Sequence, residues 1–305
     1  MASRPPFFAK WGEARVKARR LNRELDLLRF NQGVILSKLD LPNASPRLAD
    51  HEFKVFSQFG EDGILQFLTR VVPIAERTFI EFGVEDFSES NCRFLMQKDN
   101  WRGFVIDGSA DNVKAIRRAP DFWRHDLVAK QSFITRENIQ ALLAESGFGA
   151  DLGVLSIDID GNDYHVWQAI EAFRPRIVAC EYNSVFGPVD TITVPYQADF
   201  QRTTAHHSNM YWGASIAALA HLASTKGYSL VGGTSTGLNA FFVRNDLVDG
   251  NLTVCTPAEA HVVSLYRESR DAEGKPNWLS GDARLKAIAG LPVIDVVTGD
   301  TRPLA

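Results

Sequence analysis

Two short apolar runs in this chain end in acid. Gly153-Val154-Leu155-Ser156-Ile157 leads into Asp158-Ile159-Asp160-Gly161-Asn162-Asp163, and Arg176-Ile177-Val178-Ala179-Cys180 leads into Glu181-Tyr182-Asn183. Apolar runs of this length, with helix-like sequence on both sides, read as strands covered on both faces of a parallel sheet. Carboxylates crowded onto the tips of such strands repel one another and lose hydration, so something has to compensate them. The carboxyl ends of parallel strands are also where doubly wound folds bind ligands. The paired acid tips therefore predict a site, occupied by a metal ion or a polyhydroxylated ligand.

The flanking sequence supplies the rest of such a sheet. Strands are predicted at 78–84, 103–107 and 130–134, with helices at 62–72, 112–118 and 135–143. A further helix is expected to start near Ser88, Glu89 and Ser90, which carry capping chemistry. The helix between the acid-tipped strands covers 164–173; after a long connection come a helix at 213–226 and a hairpin of strands 228–231 and 238–244. This is an α/β pattern: a doubly wound, seven-stranded, mostly parallel sheet with one antiparallel strand. The domain spans 47–250, preceded by a helical segment and linker at 1–46 and followed by an extension at 251–305.

Composition narrows the setting. A net charge of −4 gives no global reason to expect nucleic-acid binding. Cys92, Cys180 and Cys255 are an odd set without CxxC spacing, and Cys180 reads as a small buried hydrophobe, which fits a reducing cytoplasm. No apolar stretch approaches the ~20 residues of a membrane span, and residues 1–20 lack the apolar segment of a secretory signal. The first helix, 7–39, sets Leu21, Leu25 and Leu28 opposite basic residues from Lys10 to Arg23, near Phe7, Phe8 and Trp11. It ends at a break over 41–46. Such a stripe has to be buried against something, and a homo-oligomer formed through this helix is expected.

At the nucleotide end, the first strand runs into Glu81-Phe82-Gly83. Asp107 closes the second strand 24 residues after Gly83, where a dinucleotide fold places the carboxylate that receives ribose hydroxyls. A full GxGxxG is missing, and Glu85 and Asp86 follow Gly83. Acid in that loop repels pyrophosphate, which wants bare N–H groups and a helix dipole. It suits a cationic ligand, and S-adenosylmethionine fits better than NAD.

The runs FSQFGEDGIL, FIEFGVEDFSESN, GFVIDGS, LSIDIDGNDY, ACEYN and KGYSLV…NAFFVR together resemble the FkbM-like branch of class I S-adenosylmethionine-dependent methyltransferases, over residues 53–244. The resemblance implies a last strand that runs antiparallel and O-methylation of a small molecule, often a sugar. By position it makes Glu81 and Gly83 the first cofactor motif and Asp107 the ribose acid. Ser57, Gln58 and Gly60 match the element that closes over the methionine end. Glu85 and Asp86 depart from the glycine-rich loop of the wider fold, which leaves the methionine-end contacts open.

Methyl transfer to an alcohol requires the acceptor hydroxyl to be deprotonated. Two arrangements of the acid tips could do this. In one, Asp158, Asp160, Glu181 and Asn183 hold Mg²⁺ or Mn²⁺ as hard oxygen ligands, as some O-methyltransferases of this fold do. In the other, Asp158 binds the methionine end of the cofactor and Glu181 orients substrate hydroxyls without a metal. His206 and His207, in the long segment 184–212, are candidate general bases beside Asp158. Tyr182, Tyr196, Tyr211 and Trp212 could wall a sugar ring. Competing functions are a catalytically inactive methyltransferase-like scaffold and, disfavoured by the missing glycines, an NAD-dependent oxidoreductase.

Overall fold

The computed structural model describes residues 6–39, 45, 47–266 and 268–305. Helix α1 (Pro6–Leu39) and helix α2 (Glu61–Val71) precede a regular alternation. It runs β1 (Thr78–Phe82), α3 (Arg93–Asp99), β2 (Arg102–Asp107), α4 (Ala110–Arg118), β3 (Leu127–Gln131), α5 (Ile139–Ala144), β4 (Val154–Ile157), α6 (Asp163–Ala169) and β5 (Ile177–Glu181). A long segment containing β6 (Ile192–Thr193) and α7 (Arg202–Ala205) leads to α8 (Ile216–Lys226) and the hairpin β7 (Tyr228–Gly233) and β8 (Asn239–Arg244). Beyond it lie α9 (Pro257–Ala260), α10 (Asp282–Ala287), β9 (Pro292–Asp295) and β10 (Thr301–Pro303).

Seven strands form one sheet in the order β3-β2-β1-β4-β5-β8-β7. β8 runs antiparallel to both neighbours, and the other pairs are parallel. Strand residues alternate between two buried clusters: Ile80 and Phe82 face one, Phe79 the other. Both faces are therefore covered, as apolar runs without polar alternation require. The chain reverses its winding between β1 and β4, so a cleft opens over their carboxyl ends.

β3 begins at Leu127, three residues before the strand expected at 130–134. Helix α3 begins at Arg93, after the Ser88–Ser90 run expected to open it. The extension after residue 251 does not stand apart. β9 pairs with β10 on one side and with β6 of the long segment on the other. A third buried cluster joins Ile192, Phe200 and Trp212 to Ile288, Val293 and Leu304.

Helix α1 docks through its last turns. Phe30 meets Phe94 edge-on at 5.8 Å, and Gly33 leaves no room for a Cβ against Val55 and Phe94. Leu21, Leu25 and Leu28 are exposed in the single chain. The break expected at 41–46 lies outside the described residues apart from Ser45, as do the side chains of Phe7, Phe8, Lys10, Trp11, Arg15, Arg19 and Arg23. Among the described residues, no helix is long and apolar enough to cross a membrane.

Candidate active site

A cleft of about 440 Å³ opens where β1, β2 and β4 end, and Glu81, Gly83, Asp107, Phe133, Asp158 and Glu181 all line it. Glu81 is held from both sides. Its Oε2 accepts from Ser90 Oγ at 2.6 Å and Cys92 N at 3.2 Å, and its Oε1 from Asn91 N at 2.7 Å. Ser90 Oγ in turn accepts from Arg93 N at 3.2 Å. The capping serine was legible in sequence; that it draws residues 90–92 onto the end of β1, delaying the helix, was not.

Burial raises the Glu81 carboxyl to about 7 despite these donors. Burial likewise raises Asp62 and Asp163 to about 6. These acids bind protons more tightly folded than unfolded, so their contribution to stability is complete below about pH 4. It is lost as pH climbs through the raised values. Between about pH 5.5 and 7.5, Glu81 alone is expected to remove about 2 kcal/mol of unfolding free energy. A urea midpoint that rises with pH across this window contradicts the assignment.

Asp107 lies where the sequence put it. Its Oδ1 accepts from Ser109 N at 2.7 Å and Asn112 Nδ2 at 3.0 Å, and its Oδ2 from Glu85 N at 2.9 Å. Roughly one of four lone-pair sites remains. A diol bound here would therefore have to engage it through one hydroxyl or displace one of these donors. Gly83 has φ +67°, and a Cβ there would overlap the carbonyl oxygen of Asp158. The space at this glycine is taken by the chain's own backbone. Glu85 and Phe87 also take positive φ, so the loop is pinned in a strained shape.

Of the three residues assigned to the closing element, only Gln58 lines the cleft. Ser57 is fully buried, and its N and Oγ both donate to Asp62 Oδ2. Gly60 donates its N–H to Glu61 Oε2 at 3.0 Å and packs against the Glu52 side chain. Both are structural, because the loop's free N–H groups have to be satisfied by the acids that follow it.

The acid tips meet as a pair. Asp158 and Glu181 line the same cleft as close neighbours, and a proton on one of them lets the two carboxyls hydrogen-bond. Burial first, then the charges of Asp160 and Asp163, raise Asp158 well above the carboxylate range; burial first, then Asp158, raise Glu181. Glu181 Oε2 is buried without a partner.

The other two predicted metal ligands do not join them. Asn183 is buried, its Nδ2 donating to the carbonyls of Met210 and Trp212 and its Oδ1 accepting from Val185 N. Asp160 pairs with Arg202 at 3.1 Å. Among the described residues, no group of three or more His, Cys, Asp or Glu side chains is placed to hold a metal. The donor set does not fit Mg²⁺ or Mn²⁺, which want several oxygens free to converge.

A second cavity, of about 660 Å³, adjoins the first; Gln58, Glu89, Glu181 and Arg202 line both. Its far wall comes from the extension: Ser264, Tyr266, Glu268, Trp278 and Arg284. Tyr182 and Trp212 line it as expected. Tyr196 instead stacks under Arg136, and the Tyr211 hydroxyl donates to the Pro292 carbonyl. Neither His206 nor His207 lines either cavity. His206 Nδ1 is 2.8 Å from Ser208 Oγ, and the His206 and His207 rings meet at a 44° tilt with centroids 4.0 Å apart. The segment turns Arg202 toward the site and these histidines away from it. Arg202 was missed: it reaches Asp160, Glu268 and the Asn209 carbonyl, and lies 4.7 Å over the Trp212 ring.

A mostly parallel sheet with its one reversed strand between β5 and β7, and a cleft at the β1/β4 reversal carrying Asp107 on β2, settles the architecture. This is a Rossmann-like methyltransferase fold. No protein-family model and no curated protein matches the chain. Among solved structures, it is similar to the N-terminal domain of EvdMO1 with SAH bound, at 11% identity and a TM-score of 0.41, covering 73% of this chain and 95% of that one. It is also similar to spermidine synthase from Thermotoga maritima, at 11% identity and a TM-score of 0.33, covering 72% of this chain and 66% of that one. The strand order, not these distant likenesses, identifies the fold.

Proposed function

We propose that this protein is an S-adenosylmethionine-dependent O-methyltransferase of the FkbM-like kind, acting on a hydroxyl of a small polyhydroxylated acceptor. The observation that carries the reading is Glu181, a buried carboxyl with an unpartnered oxygen in the wall common to the two cavities. A group that takes a proton from one bound molecule as it reacts with another belongs at such a junction.

S-adenosylmethionine, when bound, supplies a methyl group on a cationic sulfur. Asp107 would hold its ribose and Phe133 would cover its base, while Glu81 and Asp158 would place carboxyl oxygens toward its cationic end. The acceptor sits in the second cavity between Trp212 and Tyr182. Asp158 holds the pair's first proton, and Glu181 receives the acceptor's hydroxyl proton, which leaves the pair neutral. Arg202, tied to Asp160 and Glu268, offsets the charge the pair carries before that transfer.

Calorimetry with S-adenosylmethionine and NAD, followed by a screen of sugar acceptors with labelled cofactor, tests the reading. Binding of NAD in preference would overturn it, and cofactor binding without transfer to any acceptor would favour the scaffold. Asp107→Ala is expected to weaken S-adenosylmethionine by about 1.5–3 kcal/mol, the size of a hydrogen bond to a charged group. A folded variant with unchanged affinity removes Asp107 from the cofactor site.

A further inference from the structure

The second cavity holds a cation that the reaction above does not use. Arg284, on α10, lines it and is only 9% exposed. Its Nη1 reaches the Ser264 carbonyl at 3.4 Å, and its Nε is buried with no acceptor. A guanidinium carries five N–H donors, so most of this one's capacity is unspent.

The nearby acid is already engaged. Glu268 takes Arg202 at 3.4 Å and Asn209 Nδ2 at 3.0 Å, and among the described residues Arg284 forms no ion pair. Burial, and then the positive charge of Arg202, disfavour its charged form. Arg270, whose Nη1 donates to the Gly274 carbonyl at 3.2 Å, adds a second cation at the exposed side of the same cavity. Burying an unpaired charge beside a like charge is strongly unfavourable unless a counter-ion arrives.

We propose that the acceptor carries an oxyanion, a carboxylate or a phosphate, and that Arg284 receives it. The guanidinium fork matches both groups in a bidentate fashion, which a neutral sugar cannot exploit. Arg284 is then a specificity residue: it fixes one end of the acceptor on the extension's wall while the reacting hydroxyl faces Glu181 across the cavity. This rests on the second cavity being the acceptor site of the methyltransferase reading.

Two measurements on the full chain test it. In the first, thermal stability is followed in sulfate and phosphate against chloride at matched ionic strength. Wild type should be stabilised by the oxyanions, and Arg284→Gln and Arg284→Met should lose that increment. No oxyanion-specific increment, or one that survives in both variants, overturns the proposal.

In the second, calorimetry on protein loaded with S-adenosylhomocysteine compares a phenyl glucuronide and glucose 6-phosphate with the phenyl glucoside and glucose. At least one charged member should bind tenfold or more tighter than its neutral partner, and the preferred one tells carboxylate from phosphate. Equal binding, or no binding by any of them, counts against an anionic acceptor. Arg284→Lys should keep part of the preference; if it behaves as Arg284→Gln while all variants keep wild-type melting temperatures, fork geometry matters more than charge. The loading step separates failures: absence of S-adenosylhomocysteine binding sinks the methyltransferase reading, whereas binding without charge preference sinks only this one.

Discussion

Glu181→Gln is expected to lower methyl-transfer turnover by about 10²–10⁴-fold, the usual contribution of a positioned general base, with affinity for S-adenosylhomocysteine largely unchanged. Glutamine keeps the shape and can still hydrogen-bond to Asp158, but it cannot accept a proton. The pH profile sharpens the test. Burial and mutual repulsion raise both members of the pair, so on the acid side each holds a proton and neither can serve as a base. Wild-type turnover should therefore climb with pH through an apparent value above the ordinary carboxylate range, one that belongs to the pair and not to either residue. Asp158→Asn leaves Glu181 to titrate alone, so the second step of the pair should disappear and a single apparent value remain. Wild-type turnover in folded Glu181→Gln would remove the base from this position.

Gly83→Ala is expected to destabilise the chain by about 3 kcal/mol or more, a fall in Tm of about 6–12 °C for a domain of this size. Two effects add. The backbone sits at φ +67°, which an alanine tolerates poorly, and the new methyl group would overlap the Asp158 carbonyl oxygen. Neither neighbour can yield easily, since β1 is registered to both β2 and β4 and Gly83 N donates to the Ile106 carbonyl at 3.0 Å. Gly147 is the built-in control. It has the same φ of +67° but nothing within 4 Å of a built Cβ, so Gly147→Ala should show only the conformational part, about 1–2 kcal/mol. Equal losses at the two positions would mean that the contact with Asp158 contributes nothing.

The acid-tipped strands, the winding order and Asp107 were legible because each is written locally. An apolar run without alternation announces a strand covered on both faces, and the last residue of such a run has only one place to be. Orientation beyond the strand end is not local. Asn183 stands two residues from Glu181, yet its amide turns to the Met210 and Trp212 carbonyls, which lie on a separate segment. Ser57 and Gly60 fit a pattern but are consumed by Asp62 and Glu61, and spacing cannot tell a donor that is free from one already satisfied. The same holds for His206 and His207: their residue type suggested a base, and the turn at α7 faces Arg202 to the site in their place. Arg202 and Arg284 lie in stretches without periodicity, and what assembles them is the pairing of β6 with β9 across a hundred residues of chain.

That pairing also sets the order in which the molecule can become competent as it is synthesised. The strands that carry Asp107, Asp158 and Glu181 are complete by residue 181, and the reversed strand that flanks them by residue 244. The cleft at the strand ends can therefore close while the wall that faces it has yet to emerge. β6 has no partner in the small sheet until residues 292–295 arrive, and Phe200 and Trp212 stay uncovered until Ile288, Val293 and Leu304 reach them. A nascent chain halted between these points would hold a finished strand-end cleft with no wall opposite it.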